Sequence, residues 1–96
     1  MGLKDIRRKA IEKMENGYIQ HATGRAGDIN VKNLLLTGEI TVVRVIELLN
    51  KTKGGQYEHS LHHIIKDVEV HVFKPTGWYI KLYFIEPDVI FISVHR

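Results

Sequence analysis

The sequence predicts an α+β domain with helices packed on one face of a small antiparallel β-sheet. Three observations lead there. Runs over residues 68–74, 78–84 and 89–95 alternate along the chain with a period of two and are rich in valine, isoleucine and aromatics, as strands require. Short turn-forming breaks, Lys74-Pro75-Thr76-Gly77 and Glu86-Pro87-Asp88, join these runs in the manner of a meander. The first half instead spaces its apolar residues three and four apart, which is the helical pattern.

The first helix is expected over residues 3–15, where Leu3, Ile6, Ala10 and Met14 share a stripe and Gly17 follows as a stop. Residues 18–23 form a short strand, and Gly24-Arg25-Ala26-Gly27 a loop whose arginine suits a phosphate contact. Asp28 caps a helix running to about Leu36, and Gly38 ends it. Thr41 caps a third helix through about Asn50, with Val42, Val45, Ile46 and Leu49 inward and Arg44 and Glu47 outward. Residues 50–56 read as a flexible loop.

In the three strands, Val68, Val70 and Val72, then Trp78, Ile80, Leu82 and Phe84, then Ile90, Ile92 and Val94 are expected to face the core. The other side would then present Glu69, His71, Tyr79, Lys81, Tyr83, Ser93 and His95, mixed with Phe73, Val89 and Phe91. A slip of one residue would exchange the two sides, exposing large side chains at roughly 1.5–3 kcal/mol each.

A chain of 96 residues fits one domain with one core. It has no cysteine, so disulfides and thiolate–metal sites are excluded. No apolar run approaches the ~20 residues of a membrane span, and the charged N-terminal stretch lacks a secretory h-region. A cytoplasmic protein without membrane attachment is the expectation. The net charge of +3 favours an anionic partner. Lys4, Arg7, Arg8, Lys9 and Lys13 outnumber Asp5, Glu12 and Glu15 in the first helix, whose basic face suits RNA or an acidic protein. His59, His62, His63, His71 and His95 all lie in the last forty residues, so protonation would reverse the slight negative charge there.

His59, His62 and His63 fall within five positions, in Tyr57-Glu58-His59-Ser60-Leu61-His62-His63. A structural histidine is the commoner role for any one of them. A metal site is a second reading, although no usual zinc spacing is present. Acid–base chemistry is a third, because one imidazole can take a proton while another gives one. RNA brings its own nucleophile, the 2′-hydroxyl, and a cation would stabilise the phosphoryl oxygens. The sequence supplies His59, His62 and His63 before the sheet, with Tyr79, Lys81 and His95 on it. Acyl transfer by Ser60 or Ser93 lacks a nucleophile-elbow pattern.

Four stretches carry a family resemblance: Gln56-Tyr57-Glu58-His59-Ser60, Val70-His71-Val72-Phe73-Lys74-Pro75, Trp78-Tyr79-Ile80-Lys81, and residues 88–96. In order and spacing they resemble the RelE-like ribonuclease toxins of bacterial toxin–antitoxin pairs, most nearly the motility quorum-sensing regulator (MqsR) toxins. The likeness runs from about Val42 to His95. It implies a RelE/MqsR-like fold and metal-independent endonucleolytic cleavage of messenger RNA with no cofactor. RNA and a cognate antitoxin are the implied partners, and a homodimer is compatible with the family. Tyr79 matches a functional tyrosine of that family. His95 and Glu58 stand where it carries lysines, the latter catalytic, and Val70 where it carries a glutamine. Histidines would therefore replace lysine in acid–base work. The expected catalytic set is His59, His62, His63, Tyr79 and His95, with Lys74, Lys81 and Arg25 contacting substrate. The competing functions are a non-catalytic RNA- or protein-binding module, with Tyr79, Tyr83 and Phe91 as stacking surfaces, and a metal-dependent hydrolase.

Overall fold

The computed structural model describes residues 2–22 and 33–96. Arg25, the loop around it and the Asp28 cap lie outside the described residues. Helix α1 spans Leu3–Glu15, as its periodicity requires, and buries Ile6, Ala10 and Met14. Strand β1 follows at Ile19–His21. Helix α2, Leu34–Thr37, is capped by the Asn33 side chain and closed by Gly38 in the left-handed region. Helix α3, Val42–Lys51, begins at Thr41, whose side chain accepts from Arg44 N, and buries Val45, Leu48 and Leu49. Part of the expected 50–56 loop is ordered: Thr52 is buried and donates to Leu48 O, and Gly54–Gln56 forms a 3₁₀ turn.

The sheet has five strands in the order β1-β5-β4-β3-β2. Beyond the expected meander of β3 (Glu69–Phe73), β4 (Tyr79–Ile85) and β5 (Asp88–His95), the histidine run itself forms a strand, β2 (Tyr57–Leu61). It pairs antiparallel with β3 and lies at the sheet edge. β1 pairs parallel with β5, so the sheet is mostly antiparallel. Helices α1 and α3 share one core with Phe73, Ile80, Leu82, Val89, Phe91 and Val94. The α+β expectation holds at this level. None of the described helices is long and apolar enough to cross a membrane.

The side assignment needs correction in two strands. Phe73 pairs with Ile80 and His71 with Leu82, so the odd-numbered residues of β3 lie under the helices. Val70 and Val72 face the opposite way, level with Tyr83 and Lys81. The reason is turn parity. Trp78 N donates to Pro75 O at 2.7 Å, closing a turn with Gly77 at φ 82°, a geometry that favours glycine. That turn joins odd residues of β3 to even residues of β4. In β5, Val89 and Phe91 lie under the helices, whereas Ile90 pairs with Tyr83 on the other side. A bulge then shifts the register between Lys81 and Leu82, which returns Val94 to the core opposite Ile80.

Phenylalanine thus takes the helix side in both strands, while Val70 and Val72 are buried on the other side of β3. Phe73 and Phe91 are the two largest fully buried side chains. Phe91→Ala should lower unfolding free energy by about 3–5 kcal/mol. Ile90→Ala, next door on the half-exposed side, should cost less than half as much. Urea denaturation of both variants checks the assignment, and equal losses would refute it.

Candidate functional site

The side of the sheet opposite the helices, here the open side, gathers the polar residues into two adjoining rows. Glu58 pairs with Val72, Val72 with Lys81 and Lys81 with Ser93, so these four share a side across β2 to β5. Tyr79 pairs with His95 in the adjacent row. Lys74 joins from the end of β3, where its Nζ lies 3.1 Å from Glu58 Oε2. Both partners of that ion pair are substantially exposed, so its worth to folding is small. Lys74, Tyr79, Lys81 and His95, proposed separately from sequence, therefore occupy one patch.

Within the patch the Tyr79 and His95 rings stack, with centroids 5.1 Å apart and planes 19° from parallel. His95 Nδ1 is 2.9 Å from Arg96 O. Arg96 O can only accept, so Nδ1 is the donor in this contact. That contact favours one tautomer, and stacking on Tyr79 orients the ring.

The other histidines go elsewhere. His59 pairs with His71 across β2 and β3, on the helix side of the sheet. Its Nδ1 is 2.9 Å from Glu69 Oε2. His59 and His95 thus occupy opposite sides, and their expected convergence does not occur. His62 packs edge-on against Tyr83, with centroids 5.0 Å apart, and its Nδ1 accepts from Ile64 N and Ile65 N at 3.0 Å each. Tyr83 is four residues from Tyr79 along β4, a separation of roughly 13 Å. His62 therefore shapes the turn after β2 rather than meeting His95. His63 is exposed in that turn.

A second polar cluster was not foreseen. His71, read as a residue of the polar side, is only 5% exposed and lies under the helices. Its Nδ1 is 2.7 Å from the Tyr57 hydroxyl, and the two rings stack. Ile6, Lys9, Asp67, Val68, Glu69, His71 and Phe84 line a cleft of about 260 Å³ beside it. Lys9 lies 4.6 Å from the Phe84 ring centre and pairs with Glu86 at 3.1 Å. The only sequence signal was the odd-parity pairing that a Pro-Thr-Gly-Trp turn enforces. Among the described residues no group of three or more histidine, aspartate or glutamate side chains is arranged to hold a metal ion. No family model, curated protein or solved structure matches the chain.

Burial holds the His71 imidazole below its ordinary value of 6.5, aided by His59 and Lys9 and opposed by Glu69. Burial also lowers His21, whose Nδ1 meets Asn33 Nδ2 at 3.0 Å. The unfolded chain therefore binds protons before the folded chain does. This contribution to stability is complete above about pH 6.5 and declines as pH falls toward the folded-state values. Urea midpoints should drop between about pH 7.5 and about pH 5.5, and His71→Gln should flatten the drop. An unchanged slope in that variant would remove His71 as its source.

Proposed function

We propose that this protein is a metal-independent endoribonuclease acting on RNA, messenger RNA by resemblance, and the toxin of a toxin–antitoxin pair of RelE/MqsR-like architecture. The single observation that carries the reading is the open-side patch of Lys74, Tyr79, Lys81 and His95, with one His95 tautomer favoured by Arg96 O. The four stretches resembling the toxin family supply its Tyr79 and the position of His95.

In this mechanism the RNA backbone lies across the open side. Lys74 and Lys81 bear on the non-bridging phosphoryl oxygens and stabilise the charge that grows there. The 2′-hydroxyl oxygen bonds to phosphorus as its proton leaves to a base. The bond from phosphorus to the 5′-oxygen breaks, and His95 Nε2–H gives that oxygen a proton. The products are a 2′,3′-cyclic phosphate and a 5′-hydroxyl end. Tyr79, stacked on His95, holds the imidazole in place and offers a hydroxyl to the substrate. His59, His62 and His63 have no catalytic part here. The antitoxin is the expected protein partner, with the Lys4, Arg7 and Arg8 face of α1 suited to acidic side chains. The reaction belongs to the cytoplasm, where messenger RNA is met.

Purified protein incubated with mixed-sequence RNA in excess chelator should leave cyclic-phosphate ends. His95→Ala should slow cleavage by about 10²–10⁴-fold, while His59→Ala and His63→Ala should retain nearly full rate. Undiminished cleavage in folded His95→Ala would remove His95 from the mechanism, and salt-sensitive RNA binding without scission would replace this reading with that of a binding module.

A further inference from the structure

We infer that the free edge of β2 pairs with the same edge of a second copy of this chain, antiparallel and about a two-fold axis through His59. The inference rests on that edge alone and stands whether or not the open side cleaves RNA. β2 is the outermost strand on its side of the sheet, and residues 58–61 are exposed. It runs against β3 residue for residue without a bulge, and it contains neither lysine nor proline. An edge built that way lacks the usual guards against pairing with another strand.

The backbone shows which groups are left over. Lys74 N donates to Gln56 O, and His62 N donates to Val68 O, both at 2.7 Å. These contacts bracket the ladder and turn the even-numbered groups of β2 toward β3. Tyr57, His59 and Leu61 therefore aim their N–H and C=O groups outward. Tyr57 N donates to Gly54 O, which leaves the carbonyl of Tyr57 and both groups of His59 and Leu61. About an axis through His59, each His59 N–H meets the other copy's His59 carbonyl. Each Leu61 N–H meets the other copy's Tyr57 carbonyl.

The side chains match in the same register. On the helix side Tyr57 opposes Leu61, which is 69% exposed in the single chain. On the open side the Ser60 hydroxyl opposes the Glu58 carboxylate, a donor set against an acceptor. The two His59 rings meet with a carboxylate beside each, since Glu69 Oε2 lies 2.9 Å from His59 Nδ1. An axis through Glu58 would instead set carboxylate against carboxylate. The two-fold axis stands perpendicular to the sheet, so the five-stranded sheets join into one and both open sides face the same way.

The chain has no cysteine, so single-cysteine variants report the register. Directly opposed residues have Cα atoms about 5.5 Å apart, within disulfide range, and His59→Cys should cross-link to a dimer under mild oxidation. Ser60→Cys, with Cα atoms roughly 8 Å apart in this register, should not. Sedimentation equilibrium of the parent should show the 11.1 kDa chain forming dimers. A contact this small suits a dissociation constant on the order of 10–100 μM. Leu61→Lys should raise it at least ~10-fold, and so should His59→Pro, which removes an N–H that the monomer does not use. Urea midpoints confirm that the variants remain folded. A parent still monomeric at about 1 mM would overturn the inference and leave the edge to an extended strand of another protein. A dimer unmoved by both substitutions would overturn it by placing the contact elsewhere. Cross-linking of Ser60→Cys in place of His59→Cys would overturn the register.

Discussion

The structure depends on the register of the β3–β4 hairpin. A turn closed by Trp78 N and Pro75 O fixes Phe73 opposite Ile80. Placements across β3, β4 and the start of β5 follow, because neighbours in a ladder share a side, and the bulge opposite Lys81 and Leu82 sets the last residues of β5. Phe73, Ile80, Leu82 and Phe91 thereby meet Ile6, Ala10, Val45 and Leu49 from the helices. Shifting β3 by one residue would bring Lys74 toward the core and leave Phe73 outside, and both changes oppose folding.

The same register divides the titratable residues into two groups with different duties. Under the helices, Tyr57, His71 and the His59–Glu69 pair satisfy one another at the edge of the core. Burial holds His71 neutral at physiological pH and also raises the Tyr57 phenol. On the open side, Glu58, Lys74, Tyr79, Lys81 and His95 stay accessible, and the His95 ring donates to a backbone carbonyl. Accessible charged groups on a rigid sheet are what contact with a polyanion requires. The proposed chemistry therefore falls to the open side.

Much of this was legible in the residues. Helical spacing in Leu3, Ile6, Ala10 and Met14 located α1 to its end residues, and Thr41 marked the start of α3. Period-two runs located the meander, because strand periodicity and turn chemistry agree there. The inward side of β3 was misread because three valines look like a core face, and turn parity outweighs that pattern. Strand β2 was missed because Tyr57-Glu58-His59-Ser60-Leu61 is almost wholly exposed, so no burial pattern marks it. Tyr79, Lys81 and His95 were grouped correctly from β4 and β5. Glu58 stood out only as a departure from a family lysine, and its pairing with Lys74 is a tertiary fact that no local pattern encodes.

The central claim is that nucleic acid is handled on the open side of the sheet. Titrating isotope-labelled protein with short RNA bearing 2′-O-methyl groups, which prevent cleavage, reads this out through residue-resolved NMR shifts. The account predicts the largest changes at Glu58, Lys74, Tyr79, Lys81, Ser93 and His95. Changes centred instead on His59, Glu69 and His71 under the helices, with the open side silent, would contradict it.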